Sequence, residues 1–208
     1  MNKSVLAAGV GLLMSTAAAH AVPITTPPPI LSAFGNVTAV YIFADANDNS
    51  TLNELTPQAI PLIFCNHTIT GTCTGNNPGN TKNLFPPPQS GPIVFSLNNV
   101  TSGNLFTTNA VGSDGFYHAL ITSNYTDFGL GALSGPLAAQ LAGLGGSISF
   151  VGFEDKTFGQ GSDFDYNDLI FAFANTAIVG VPEPLTLSLF GAGLAGAALM
   201  RRRKKHVA

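Results

Sequence analysis

Tryptophan is absent from this 208-residue chain, and charged residues make up only 9% of it. Tyrosine is confined to Tyr41, Tyr117, Tyr125 and Tyr166, scattered along the chain, so the aromatic platforms expected of a sugar-processing cleft are missing. Basic residues are rarer still in the long middle. Between Val22 and Val181 only Lys82 and Lys156 stand against Asp45, Asp48, Glu54, Asp114, Asp127, Glu154, Asp155, Asp163, Asp165 and Asp168, for a net charge of −8 over that stretch. Such a surface repels nucleic acid and anionic lipid and attracts cations. Histidine is nearly missing from the same region, present as His67 and His118, and neither G-x-S-x-G nor H-E-x-x-H occurs. Common hydrolase chemistries therefore lack their residues, and the expectation is a protein that is not an enzyme.

What is present is concentrated at the two ends. Lys3, the apolar run Val5 to Met14 and Ala19-His20-Ala21 form a secretory signal peptide over residues 1–21, with Val22 as the first mature residue. At the other end, Val181-Pro182-Glu183-Pro184 precedes an uncharged stretch over 185–200 and the cluster Arg201, Arg202, Arg203, Lys204 and Lys205. Sixteen residues rise about 24 Å as a helix against roughly 30 Å of hydrocarbon, a shortfall that snorkelling arginines and local thinning can cover. The stretch reads as a transmembrane helix, slimmed on one face by Gly191, Gly193 and Gly196, with residues 201–208 as a cytoplasmic tail. Everything before Pro182 then lies outside, in a compartment where Cys65 and Cys73 are expected to form one disulfide. A cysteine metal site is the weaker reading, since two thiols and His67 lack a fourth ligand.

Residues 181–205 together resemble the PEP-CTERM sorting signal of Gram-negative bacteria. The resemblance implies that a membrane-embedded exosortase cuts near Pro182, Glu183 and Pro184. The protein is then released or re-anchored at the cell surface, commonly in bacteria that make exopolysaccharide. An ordinary anchor that is never cut predicts the same topology and a different final state.

The 160 residues between these signals suffice for one domain. Pro23 to Pro29 reads as part of an extended leader over 22–30, followed by a domain over 31–176 and a linker over 177–184. Short apolar runs at Val37 to Phe43, Ile60 to Phe64, Ile93 to Leu97, Phe116 to Thr122, Ile148 to Phe153 and Leu169 to Phe173 read as strands. Leu169 to Ala174 is apolar on both faces, which predicts a central strand covered on each side. Ser134-Gly135-Pro136 opens one helix, with Leu137, Leu141 and Leu144 at helical spacing and Gly145-Gly146 as its stop. Residues 65–91, rich in glycine, asparagine and proline, read as a long surface excursion pinned by the disulfide. The predicted fold is all-β: an antiparallel two-layer sandwich, jelly-roll-like, with one short helix.

The densest chemistry is Gly152-Phe153-Glu154-Asp155 followed by Asp163-Phe164-Asp165-Tyr166-Asn167-Asp168. If extended, the second stretch turns Asp163, Asp165 and Asn167 to one side. Crowded carboxylates need a cation or full solvation, and hard oxygen ligands favour Ca²⁺. A solvated loop with side chains capping turns is the alternative, above all for Asn167 and Asp168. A second stretch, Asp45 to Glu54, spaces its oxygens like the opening of an EF-hand, yet Ser50 replaces the required glycine and Thr56 the closing glutamate. It reads as a polar turn whose oxygens remain able to join the first cluster from across the sandwich.

Ser147 to Phe173 resembles the C-terminal signature of the bacterial domain of unknown function 4114. The resemblance implies secreted or surface location and calcium at Glu154, Asp155, Asp163, Asp165, Asn167 and Asp168, and it brings no established activity. The reading as a whole is an exported surface or matrix protein. Its calcium-steadied sandwich acts in structure or interaction, with exopolysaccharide or other surface proteins as partners. A calcium-dependent carbohydrate-binding module is the alternative, with a glycoside hydrolase behind it.

Overall fold

A computed structural model describes residues 22–84 and 89–180 of the protein. The signal peptide, Phe85 to Pro88, the Pro-Glu-Pro motif, the apolar tail segment and its basic end lie outside the described residues. Among the described residues no helix is long and apolar enough to cross a membrane.

Nine strands and one α-helix make up the described part: β1 (Ile30–Ala44), β2 (Ser50–Thr56), β3 (Ile60–Cys65), β4 (Thr81–Asn83), β5 (Gln89–Asn99), β6 (Leu105–Thr107), β7 (Ala119–Thr122), α1 (Gly135–Leu144), β8 (Ile148–Phe153) and β9 (Leu169–Val179). Every pairing is antiparallel, in the order β3-β2-β5-β1-β9-β8-β7, with β4 added to β1 and β6 to β5. The path does not close into a barrel. It folds over at β5, whose first half pairs with Leu31 to Gly35 of β1 and whose second half pairs with β2.

The fold-over brings two layers face to face, as a sandwich requires, because alternate residues of each strand are apolar. Ile93, Phe95 and Leu97 of β5 share one face, as their spacing predicts, and pack with Leu52, Phe64 and Phe106 against Tyr41, Val151, Phe153, Phe171 and Phe173. Two ring pairs bridge the layers directly, Phe95 on Phe173 at 4.2 Å and Phe64 on Phe171 at 5.9 Å between centroids. Strand β9 is covered on both faces. Its opposite residues, Ile170 and Ala172, join Val40, Ile42 and Phe150 under a second cover of Phe128, Leu141, Phe164 and Tyr166. Helix α1 spans the predicted residues and begins with proline in its first turn.

Three expectations change. Ser50 to Thr56 is a strand rather than part of a polar turn, because Ser50, Thr51 and Glu54 are buried between β3 and β5. A strand there leaves no helix to follow an EF-hand loop. The excursion over 65–91 is partly built into the sheet, since β4 pairs with Thr38 to Val40 and Tyr41 exchanges backbone hydrogen bonds with Gly79 and Asn80. The leader, expected only to be extended, is docked on the domain: Ile24 bridges Tyr117, donates its N–H to Tyr166 Oη at 2.9 Å and packs on the second core. The strands also reach beyond the expected 31–176, from Ile30 to Val179. Cys65 and Cys73 are joined, with Cα atoms 6.5 Å apart.

Candidate functional site: an acidic loop at the end of the sandwich

Strand β8 ends on Phe153, and the loop over 154–168 leads from it into β9. The return leg of this loop lies directly on β8. A Cβ at Gly152 meets the Tyr166 carbonyl oxygen at 2.2 Å and Phe128 Cε1 at 2.3 Å, so only glycine allows this approach. Two bulky residues of the leg, Phe164 (φ 57°) and Tyr166 (φ 58°), adopt left-handed backbone. Such conformations are costly for large side chains and persist where the surroundings dictate them. Here both aromatic side chains are buried in the second core.

Glu154 organises the leg. Its side chain is 0% exposed, Oε1 accepts the Tyr166 N–H at 2.6 Å, and Oε2 accepts the Ser162 hydroxyl. Ligand oxygens of Glu154, Asp163 and Asp165 all lie within 4.8 Å of one another. Two ionised carboxylates at that separation repel by about 3 kcal/mol at an effective dielectric near 20. Burial is the chief cause that pushes the Glu154 carboxyl up to about 7; the Ser162 and Tyr166 hydrogen bonds oppose it and the Asp168 and Asp163 carboxylates reinforce it. Burial also raises the Asp165 pKa. A cation between the three would remove the repulsion and return them to the ionised form.

The other predicted ligands surround this trio without joining its convergence. Asn167 fixes Asp165, giving its backbone N–H to Oδ1 at 3.1 Å and its amide to Oδ2. Asp168 Oδ2 accepts the Asp155 N–H at 2.9 Å, while the Asp168 carbonyl accepts from Asp45 and Ala46. Asp155 is 0% exposed, and neither of its carboxylate oxygens has a hydrogen-bond partner among the described residues. Its carboxyl is pushed upward, first by burial and then by the Asp168 carboxylate, with Lys156 opposing and Asp48 adding; protonated, it serves as a donor to the Asp168 side chain. Asp168 links the two sides, since its carboxylate also acts on Glu154 and Asp165, so the six predicted residues form one continuous cluster in which only Glu154, Asp163 and Asp165 converge. The convergence of Asp163 and Asp165 does not come from extended backbone, because the left-handed residues between and after them set it.

Sequence reasoning missed several neighbours. Asn99, unmarked by any pattern, donates Nδ2 both to Asp48 Oδ2 at 2.9 Å and to the Asp155 carbonyl at 2.8 Å, so the β1–β2 connection meets the loop through it. Asn104 donates to Gln160 Oε1 at 2.6 Å and braces the loop from β6. His118, just before β7, is 1% exposed, stacks on Phe106 at 4.0 Å and holds Asp114 through Nε2 at 2.9 Å. Asp114 in turn accepts the Phe158 N–H at 2.8 Å. Burial raises the Asp114 pKa, but hydrogen bonds from His118 and the Phe158 and Phe116 amides outweigh it and the net displacement is downward. The Phe158 ring, 64% exposed, stacks on Phe164 in the middle of the acidic leg. No periodicity or motif marks these partners, since each contact joins segments distant in sequence or crosses a turn.

Compared with known families, the chain matches the PEP-CTERM protein-sorting motif over residues 180–204. That motif marks an exported protein, membrane-anchored before processing by an exosortase. No curated protein and no solved structure matches the chain.

Proposed function

We propose that this exosortase-sorted protein works at the cell surface or in the extracellular matrix as a calcium-steadied, jelly-roll-like sandwich in surface structure or interaction, with exopolysaccharide or a neighbouring surface protein as its partner. It acts by binding and not by catalysis. One observation carries the calcium part: oxygens of Glu154, Asp163 and Asp165 converge within 4.8 Å with no basic residue paired to them, the ion pair found among the described residues being His118 with Asp114. Calcium favours such hard, flexible oxygen sets, and extracellular modules bind it at the weak end of its range. The resemblance of residues 147–173 to domain of unknown function 4114 supports the same reading.

A calcium-dependent carbohydrate-binding module is the second reading, favoured by the exposed Phe158 ring beside the carboxylates. Aromatic faces offer apolar contact to a sugar ring, and a neighbouring cation offers coordination to its hydroxyls. A hydrolase is disfavoured because Glu154, the one glutamate in the loop, is sealed and has both oxygens committed to the backbone leg and Ser162.

The test is thermal melting of the chelator-stripped protein with and without Ca²⁺, beside an Asp163→Asn, Asp165→Asn variant. Calcium is expected to raise the melting temperature of the natural chain and to do so less in the variant. Equal melting with calcium and with chelator removes the proposal. A glycan array run in calcium and in chelator separates the carbohydrate-binding reading from a purely structural one.

A further inference from the structure

Tyr166 stands between Asp165 and Asn167 and is held at three points. Its N–H donates to Glu154 Oε1 at 2.6 Å, its ring is buried in the second core, and its hydroxyl leaves the leg for the leader. That hydroxyl accepts the Ile24 N–H at 2.9 Å and donates to the Tyr117 carbonyl at 3.3 Å. The Tyr117 N–H in turn donates to the Ile24 carbonyl at 2.9 Å, which closes the circuit. The next residue, His118, accepts the Glu154 N–H on its carbonyl at 3.0 Å. One phenol and two adjacent residues before β7 therefore tie the leader to both legs of the acidic loop.

A bulky residue keeps left-handed backbone only where its surroundings outweigh the cost. At Tyr166 (φ 58°) that backbone lies in the turn that brings Asp165 toward Glu154 and Asp163. Gripped at its N–H by Glu154 and at its hydroxyl by Ile24 and Tyr117, the residue cannot swing out of the turn without breaking one grip. The leader is suited to supply the second grip. Pro23 limits the backbone just before Ile24, and Pro27, Pro28 and Pro29 stiffen the approach to β1, so little chain entropy opposes docking. Pro28 is buried, and Ile24 packs on the second core. Ile24 brings neither charge nor side-chain oxygen, so its influence on the carboxylates acts through position alone.

We infer that the leader is a working part of the acidic site: Tyr166 is a positioning residue through which docked Ile24 holds the 163–168 leg in its converging form. A consequence is that leader docking and cation uptake strengthen one another, by the same factor in both directions. The positioning role stands on geometry alone, whereas the coupling to a cation rests on the calcium reading proposed above. The leader thereby acts as a strap on the site and not as a spacer.

Residue-resolved amide hydrogen exchange on the chelator-stripped full chain in mild detergent tests the positioning role, and calorimetric titration with Ca²⁺ tests the coupling. Tyr166→Phe removes the hydroxyl and keeps the ring. Ile24→Ser removes the apolar anchor without adding charge, and Ile24→Val is the conservative control. All three leave every carboxylate in place. Without calcium, Tyr166→Phe and Ile24→Ser are expected to speed exchange of the amide at position 166 by about three- to tenfold, with the amides of β2 and β5 unchanged and Ile24→Val like the natural chain. Calcium uptake weakens by a similar factor in the same two variants, and calcium slows exchange of the Ile24 amide in the natural chain. Exchange at position 166 unchanged in both variants overturns the inference, as does a rise shared equally by β2 and β5. Faster exchange there with calcium affinity equal to that of the natural chain overturns the coupling. Faster exchange in a protein whose natural chain takes up no calcium upholds the positioning role and removes the calcium reading instead.

Discussion

Replacing Glu54 by glutamine changes how the stability of this protein depends on pH. Glu54 sits opposite Phe95 with its side chain 1% exposed, and neither carboxylate oxygen has a hydrogen-bond partner among the described residues. Burial raises its pKa from 4.5 to about 7, and the Gln58 backbone N–H offsets part of that effect without closing a hydrogen bond. A folded pKa above the unfolded one means that the native state holds the proton more tightly. The acid's contribution is then fully present below about 4.5 and drains away as pH climbs through about 7. At about 1.4 kcal/mol per pH unit over that interval, the natural chain loses about 2 to 3 kcal/mol from this one group between pH 5 and pH 8. Glutamine resembles the protonated acid and does not ionise. Urea melts followed by circular dichroism, at both pH values and at one fixed calcium concentration, isolate the effect as a difference between natural chain and variant. The expected result is near-equal stability at pH 5 and a variant more stable by about 2 to 3 kcal/mol at pH 8. Parallel pH profiles refute the reasoning, and they place the ionised carboxylate in contact with water or a donor.

Two further outcomes follow from the loop. Gly152→Ala forces a methyl into the Tyr166 carbonyl and the Phe128 ring, so it should cost about 2 to 4 kcal/mol in the same urea melts and weaken calcium uptake with it. Asp114, whose pKa is depressed, stabilises the fold above the unfolded carboxylate value of 3.8 and loses that contribution as pH falls through its lower folded value. The melting temperature of the natural chain should exceed that of Asp114→Asn at pH 7, with the gap closing in acid. A gap that persists at pH 2 to 3 contradicts this account of the His118 contact.

Much of the sheet was legible because apolar alternation is a direct record of burial. β8 matches its apolar run residue for residue, and β9 reads as doubly covered because Leu169 to Ala174 carries no polar side chain. β2 was hidden for the opposite reason. Around Leu52 its buried positions hold serine, threonine and glutamate, whose polarity imitates a turn, and its place between β3 and β5 is a tertiary fact. Short β4 and β6 carry three residues each, too few for a period. In the candidate site, composition alone marked the carboxylates. Alternation already separates Glu154 from Asp155, yet an extended reading of 163–168 could not foresee left-handed backbone at two aromatic residues, which follows from burying their rings. Asp48 was visible as an oxygen and invisible as a neighbour, since its link to the Asp155 carbonyl runs through Asn99, 51 positions from one and 56 from the other.

Strand β9 has one property that matters for delivery. It springs from the acidic loop at Leu169 and runs eleven residues, about 35 Å, to Val179, where it lies beside Ile30. The sorting motif starts at the very next position. The strand is thus a ruler: the sorting motif begins past one tip while the carboxylates stand at the other. A cut at the motif would therefore leave the sheet whole and fall at the end of β9 remote from the carboxylates.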